Sequence, residues 1–393
     1  MLTVLKFGGS SLETAEKIDN AAHIAAKLVE EGHKVVMVVS AKGDTTDNLL
    51  KQASEVCNEP SARELDVLLT VGEQMSMSLM AMRLQQIGIP AVSLCGWQAG
   101  VLTDEHHGNA RILEMHTHRV KTELNMGKVV IVAGFQGINA QGDVTTIGRG
   151  GSDTSAVALA ASLNADKCLI YTDVDGVYSA DPRTVPQAVR HTRIDYDEML
   201  EMSSLGAGVL HNRSVELAKN TDVALKVISS GKSEGGTEVN KSVMEGKRVT
   251  GVTCDKNTAL IEVKGADIEL LPDILNLFSS AGITSDMMTN IDKRLGITVP
   301  ENKMNNAVKI LRENYEKLGN ITAEADSSVA KISVVGCGLG GDPKVVARML
   351  RAIANEKICV KSIVAGEIKI SVLIPSDKAA IAVQAIHKEF FGI

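Results

Sequence analysis

The sequence predicts an α/β protein: an αβα sandwich with a mostly parallel central sheet, followed by two small modules of βαββα order. Three observations carry this. Apolar strand-length runs alternate with amphipathic helical stretches over the first 230 residues. A connector poor in apolar residues follows them. Beyond it the order of elements repeats, with each unit about 65 residues long.

Residues 4–7 form a short strand, and 14–31 place Ile18, Ala22, Ala25, Leu28 and Val29 on one helical face. Residues 35–40 are a continuous apolar strand, and Asp47 is positioned to cap a helix carrying Leu49 and Leu50. Residues 62–86 read as one helix, 91–95 as a strand and 128–135 as a fully buried strand. A helix opening at Asp153 and a strand over 167–172 follow. Uniformly apolar strands between helices mean a parallel sheet covered on both faces.

Residues 231–247 are rich in Gly, Ser, Lys and Glu and read as a linker. Met244 within it is a candidate internal start for a separate regulatory chain. The first repeat runs strand 259–264, helix 268–280, strands 283–288 and 295–299, helix 302–317. The second runs 331–335, 343–354, 358–364, 368–374 and 377–390 in the same order. This is the ferredoxin-like pattern. The expected division is a catalytic domain at 1–230, a linker at 231–250, and modules at 251–326 and 327–393, the two modules open to intertwining.

Composition narrows the function. Aromatics at 3% and a net charge of -7 argue against a nucleic-acid partner. No apolar run approaches the ~20 residues needed to span a bilayer, so no membrane partner is expected. Six widely spaced cysteines without a CxxC pair, and a start lacking a signal core, point to the reducing cytoplasm.

The chemistry concentrates in glycine-rich loops. Gly148-Arg149-Gly150-Gly151-Ser152-Asp153-Thr154 ends in the helix opening at Asp153. Bare backbone amides and a helix N-terminus make a nest for phosphate or carboxylate oxygens, and Arg149 adds a bidentate anion fork. Lys6, Gly8, Gly9 and Ser10 follow the first strand, where glycine lets backbone approach phosphate and Lys6 neutralises a transferring phosphoryl group. Thr172, Asp173, Tyr178 and Arg183 follow another buried strand, at the crevice where α/β sheets bind ligands. Glu73 is a carboxylate in a largely apolar helix, suited to a substrate ammonium or to an exposed face.

Other patterns carry less. Gly336-Cys337-Gly338-Leu339-Gly340-Gly341 fits GxGxxG, yet the next strand offers no acidic residue for a ribose and too little chain remains for a dinucleotide domain. Lys232-Ser233 would need a glycine at Lys226 to be a phosphate-binding loop. The histidines at 106, 107, 116 and 118 lack metal-site spacing, so no metal ligands are assigned. Met75, Met77, Met80 and Met82 read as core packing.

The motifs KFGGSS at 6–11, SAKGDTTDNLL at 40–50, LLTVGEQMS at 68–76 and GWQAG at 96–100 occur in order. HGNARI at 107–112, VAGFQG at 132–137, GRGGSDT at 148–154 and TDVDGVYSADPR at 172–183 complete the set. Jointly they resemble the monofunctional aspartate kinases of the amino acid kinase superfamily, and the C-terminal pair resembles that family's tandem ACT domains.

The resemblance implies ATP-dependent phosphorylation of the L-aspartate side-chain carboxylate, the first step toward lysine, threonine and methionine. In that reading Lys6 stabilises the transferring phosphoryl and Arg149 holds a substrate carboxylate. Glu73 takes the ammonium, and Thr46, Ser152 and Asp153 complete the pocket. Lys6, Gly8, Gly9, Ser10, Thr172, Asp173, Tyr178 and Arg183 surround ATP, with Mg2+ bridging its phosphates. Asp267, Asp286, Asn290, Gly338 and Asp342 are the expected effector contacts, for lysine, threonine or both, and the ACT domains are expected to pair into a homo-oligomer. A glutamate or acetylglutamate kinase and a non-catalytic amino-acid sensor stand as alternatives.

Three places depart from the family pattern. Gly208 stands where a nucleotide-contacting lysine is usual. Residues 268–273 replace the Asp-x-Pro-Gly turn of the first ACT unit, and Asp342-Pro343-Lys344 stands where Pro-Gly is usual in the second.

Overall fold

The computed structural model describes residues 1–231, 235–241, 249–319, 321–340 and 342–392. These form two compact units. One contains 1–177, 190–203 and 208–244, the other 178–189, 204–207 and 245–393.

The first unit is built on an eight-stranded sheet of the described residues. From one edge its strands are Arg193–Ile194, Thr237–Val239, Leu225–Ser229, Lys167–Thr172, Leu2–Phe7, Lys34–Val39, Val129–Ala133 and Ala91–Leu94. The last six are mutually parallel, whereas Thr237–Val239 runs antiparallel to its neighbour Leu225–Ser229. Val35 through Val39 are at most 1% exposed, because helices cover both faces of such a sheet. Leu5, Phe7, Met37, Val39 and Ile131 pack with Ala22, Ala25, Met80 and Leu84 of the covering helices.

Several boundaries differ from the sequence reading. The capping position before helix Thr45–Val56 is Asp44, and Asp47 lies in its first turn. The helix expected over 62–86 is two, Ala62–Leu69 and Val71–Gln86, meeting at Thr70. Met77 and Met80 are buried as expected, whereas Met75 and Met82 are 40% and 62% exposed. Strand Thr237–Val239 lies inside the stretch read as linker; 232–234 and 242–248, with Met244, are outside the described residues.

The second unit carries two four-stranded antiparallel sheets. Met288–Ile291, Arg294–Pro300, Thr258–Lys264 and Thr322–Asp326 form one. Gly251–Asp255, Val329–Val335, Lys369–Pro375 and Ser362–Ala365 form the other. Gly251–Asp255, expected within the first module, therefore completes the sheet of the second. The strands expected at 283–288 and 358–364 begin later, at Met288 and Ser362. Ser179 is held to the second module by Nε2 of the fully buried His387, at 2.9 Å, and accepts from the Val252 amide at 2.7 Å.

Candidate functional site

Strand register brings the chemistry to one edge of the main sheet. Phe7 lies opposite Val39 and Tyr171, Val39 opposite Ala133, and Thr172 opposite Ser229, so parallel strands end together and their loops share one crevice. The rings of Phe7 and Tyr171 stack at 4.7 Å, which fixes the strand end that carries Lys6. Lys6 is 9% exposed, and its Nζ lies 2.6 Å from Asp153 Oδ1.

Asp153 belongs to helix Gly151–Leu163, which is apolar on nearly every side and runs through the interior. Gly150 precedes the helix in the left-handed region, at φ 68°. A Cβ there would come within 2.2 Å of His211 Cβ, so both backbone and neighbour require glycine. No side chain caps this helix. The Gly151 amide donates to the Gly148 carbonyl at 2.9 Å, which leaves the Ser152 and Asp153 amides and the partial positive charge of the helix end to an anion. Ser152 and Asp153 are buried, while Arg149 is exposed on the loop before them.

Glu73 lies in the first turn of helix Val71–Gln86 and is 4% exposed. Its Oε1 accepts from the Ala41 amide at 2.9 Å; its Oε2 is buried with no hydrogen-bond partner among the described residues. Burial pushes this carboxyl up to about 7, against the downward pull of backbone hydrogen bonds. It is a carboxylate in want of a cation.

Lys6, Gly8, Gly9, Thr46, Glu73, Arg149, Ser152 and Asp153 all line one cleft of about 800 Å³. Of the other sequence-predicted residues, Ser10 is exposed on the turn at Gly9–Leu12. Thr172 and Asp173 lie at the same sheet edge, hydrogen-bonded to each other at 2.9 Å. Tyr178 and Arg183 fall in the second unit, where exposed Arg183 pairs with Asp181 at 2.8 Å.

Among the expected effector contacts, Asn290 donates to Asp267 at 3.3 Å. Asp342 caps helix Pro343–Asn355 by accepting from the Lys344 amide at 3.0 Å. Gly338 takes a left-handed conformation, at φ 69°. Asp286 is engaged internally, by Thr298 and by the buried ammonium of Lys331.

Two site residues escaped the sequence reading. Asp66 lines the cleft at 1% exposure and accepts from the Gly108 and Thr146 amides, the Thr146 hydroxyl and His107. Arg213 donates to the carbonyls of Ala110 and Ile147 and to Asn109 Oδ1. Among the described residues no cluster of three or more His, Cys, Asp or Glu side chains could hold a metal ion by itself, and no helix is long and apolar enough to cross a membrane.

Residues 1–229 match the amino acid kinase family and 332–390 match an ACT domain. The chain is 43% identical to aspartokinase 2 of Bacillus subtilis (strain 168), with 99% of this chain and 97% of that one covered. It is 42% identical to an aspartokinase of Geobacillus stearothermophilus over the same shares. In fold it resembles E. coli aspartokinase III, crystallised with aspartate and ADP, with a TM-score of 0.86 at 23% identity and both chains covered fully.

Proposed function

Because the chain belongs to the aspartokinase family of amino acid kinases, we propose that its cleft transfers the γ-phosphoryl group of ATP to the side-chain carboxylate of L-aspartate. The product is 4-phospho-L-aspartate. A carboxylate oxygen forms the new bond to phosphorus, the bond from phosphorus to the β,γ-bridging oxygen breaks, and ADP leaves with that electron pair. The nucleophile is already ionised, so no general base is needed and catalysis rests on alignment and charge neutralisation.

The observation that carries this reading is the convergence of Lys6, Arg149 and Glu73 on one cleft beside an uncapped helix N-terminus. Lys6 stabilises charge on the transferring phosphoryl, held in place by Asp153. Arg149 takes a carboxylate of aspartate, and Oε2 of Glu73 takes its ammonium. Thr46 and Ser152 complete the pocket, while the Gly8-Gly9 turn and Thr172-Asp173 receive the nucleotide. Magnesium carried on the nucleotide's phosphates would supply further charge neutralisation there, since no cluster of described residues would hold it alone.

The ACT modules are read as the receptor for an effector amino acid, lysine or threonine, and as the surface through which copies of the chain associate in the cytoplasm. Trapping of the acyl phosphate by hydroxylamine tests the reaction. A panel of L-aspartate, L-glutamate and N-acetylglutamate should give hydroxamate from aspartate alone. Hydroxamate from a glutamate, or from none of the three, would sink the assignment.

A further inference from the structure

Arg149 must aim at a substrate carboxylate, yet among the described residues its side chain has no hydrogen-bond or ion-pair partner. What the fold fixes for this exposed side chain is therefore the position of the backbone that carries it. That backbone continues from Thr146-Ile147, which lies against His107–Ala110 through the Ala110 amide on the Thr146 carbonyl at 2.8 Å. Gly108, Thr146, Gly148 and Arg149 all line the cleft.

Two charged side chains grip these adjoining segments in complementary ways. Asp66 takes only donors: the amides of Gly108 and Thr146, each at 3.0 Å, the Thr146 hydroxyl at 2.5 Å, and the His107 ring at 2.9 Å. Arg213 gives only to acceptors: the Ile147 carbonyl, the Ala110 carbonyl at 2.7 Å and Asn109 Oδ1 at 3.0 Å. Acid and base thus divide the polar groups of the same two segments. Charge-assisted bonds of this kind are about twice as strong as neutral ones. Two residues after Arg213's last acceptor in that segment comes Arg149. His211, two residues before Arg213, packs against Gly150 on the other side of Arg149.

We propose that Asp66 and Arg213 form a clasp that positions the Arg149 loop for the substrate carboxylate, each acting through the backbone it holds. This rests on the reading of the cleft as an aspartate site. The clasp acts on amino-acid binding and leaves nucleotide binding alone, because it holds none of the Gly8-Gly9 or Thr172-Asp173 backbone.

Steady-state kinetics of Arg213→Lys, Asp66→Asn and the double variant test it. Arg213→Lys retains the charge but loses the fork that spans separate acceptors. Each single change should raise KM for L-aspartate about tenfold, since misplacement of about an ångström costs up to two orders of magnitude. KM for ATP should stay within about twofold. The double variant should fall well short of the product of the single effects, because both partners hold one structure. Thr146→Val removes one hydroxyl donor without a charge and should give a smaller rise of the same selectivity, which keeps the test open if a charged variant does not fold.

Unchanged KM for aspartate in folded variants, equal rises for both substrates, or multiplicative effects overturn the clasp. A wild-type chain without aspartate-dependent turnover overturns instead the reading on which it rests.

Discussion

Lys6 Nζ and Asp153 Oδ1 lie 2.6 Å apart, joining the end of the first strand to the first turn of the helix that follows the Arg149 loop. The pair holds a cation at the mouth of two glycine turns while keeping a buried ammonium matched by a charge. In the proposed reaction a phosphoryl group entering between them would meet a positive charge already in position, with little left to reorganise.

Lys6→Ala should lower turnover by on the order of 10²-fold or more, as removal of a preorganised electrostatic group does. Circular dichroism and thermal melting should show a folded protein. A variant turning over at the wild-type rate would remove Lys6 from the mechanism.

Glu73 predicts a pH dependence. Its folded carboxyl titrates near 7 against an ordinary 4.5, with burial the main cause. The group therefore favours the folded apo state most below its unfolded value. That contribution declines as pH rises from about 4.5 to about 7 and is gone above it. Aspartate binding in the proposed site has the opposite sign, since the ammonium would need the ionised carboxylate. KM for aspartate should fall as pH rises through about 7, and Glu73→Gln should raise KM and flatten that profile. A profile unchanged in Glu73→Gln would exclude the ion pair.

Much of this site was legible because its chemistry needs residue types that mark themselves. Glycine runs, one lysine and one arginine between strand and helix have few uses beyond gripping anions. Asp66 could not be read this way, because Ala62–Leu69 is an amphipathic helix on which an aspartate ordinarily faces water. Its burial depends on two loops distant in sequence. Thr70 was hidden because apolar spacing continues across it. The place of Gly251–Asp255 was hidden by the repeat itself. Neighbours in sequence usually pair, and here the strand passes over its neighbour module to join the next. Met75 and Met82 show that an apolar side chain is no proof of burial.

Gly208 offers a test of the departure from the family pattern. It adopts φ 63°, a left-handed conformation costing a side-chain-bearing residue roughly 1–2 kcal/mol. Gly208→Lys should lower the midpoint of thermal unfolding by a few degrees, and should lower KM for ATP if the added ammonium reaches the phosphates. A destabilised variant with unchanged KM for ATP would mean that this chain binds nucleotide without help from that position.

Lys331 is 4% exposed, and its ammonium contacts Asp286 and lies 3.6 Å from Asp255. Asp255 and Lys331 are paired across the sheet of the second module, whereas Asp286 precedes a strand of the first, so the cluster ties the two modules together. Burial pushes the Asp286 carboxyl up, but the hydrogen bonds from Lys331 and Thr298 outweigh it and leave it below the ordinary carboxylate range. Its contribution is therefore present above the unfolded value and is lost as pH falls through the lower folded one. Asp286→Asn should destabilise the second unit by about 1–3 kcal/mol at neutral pH, because it leaves the Lys331 charge buried with only the more distant Asp255. The difference from wild type should shrink in acid, where wild-type Asp286 is itself protonated. Denaturant titrations at neutral and acidic pH measure both quantities. A penalty that does not change with pH would show that the side chain acts by packing and not by its charge.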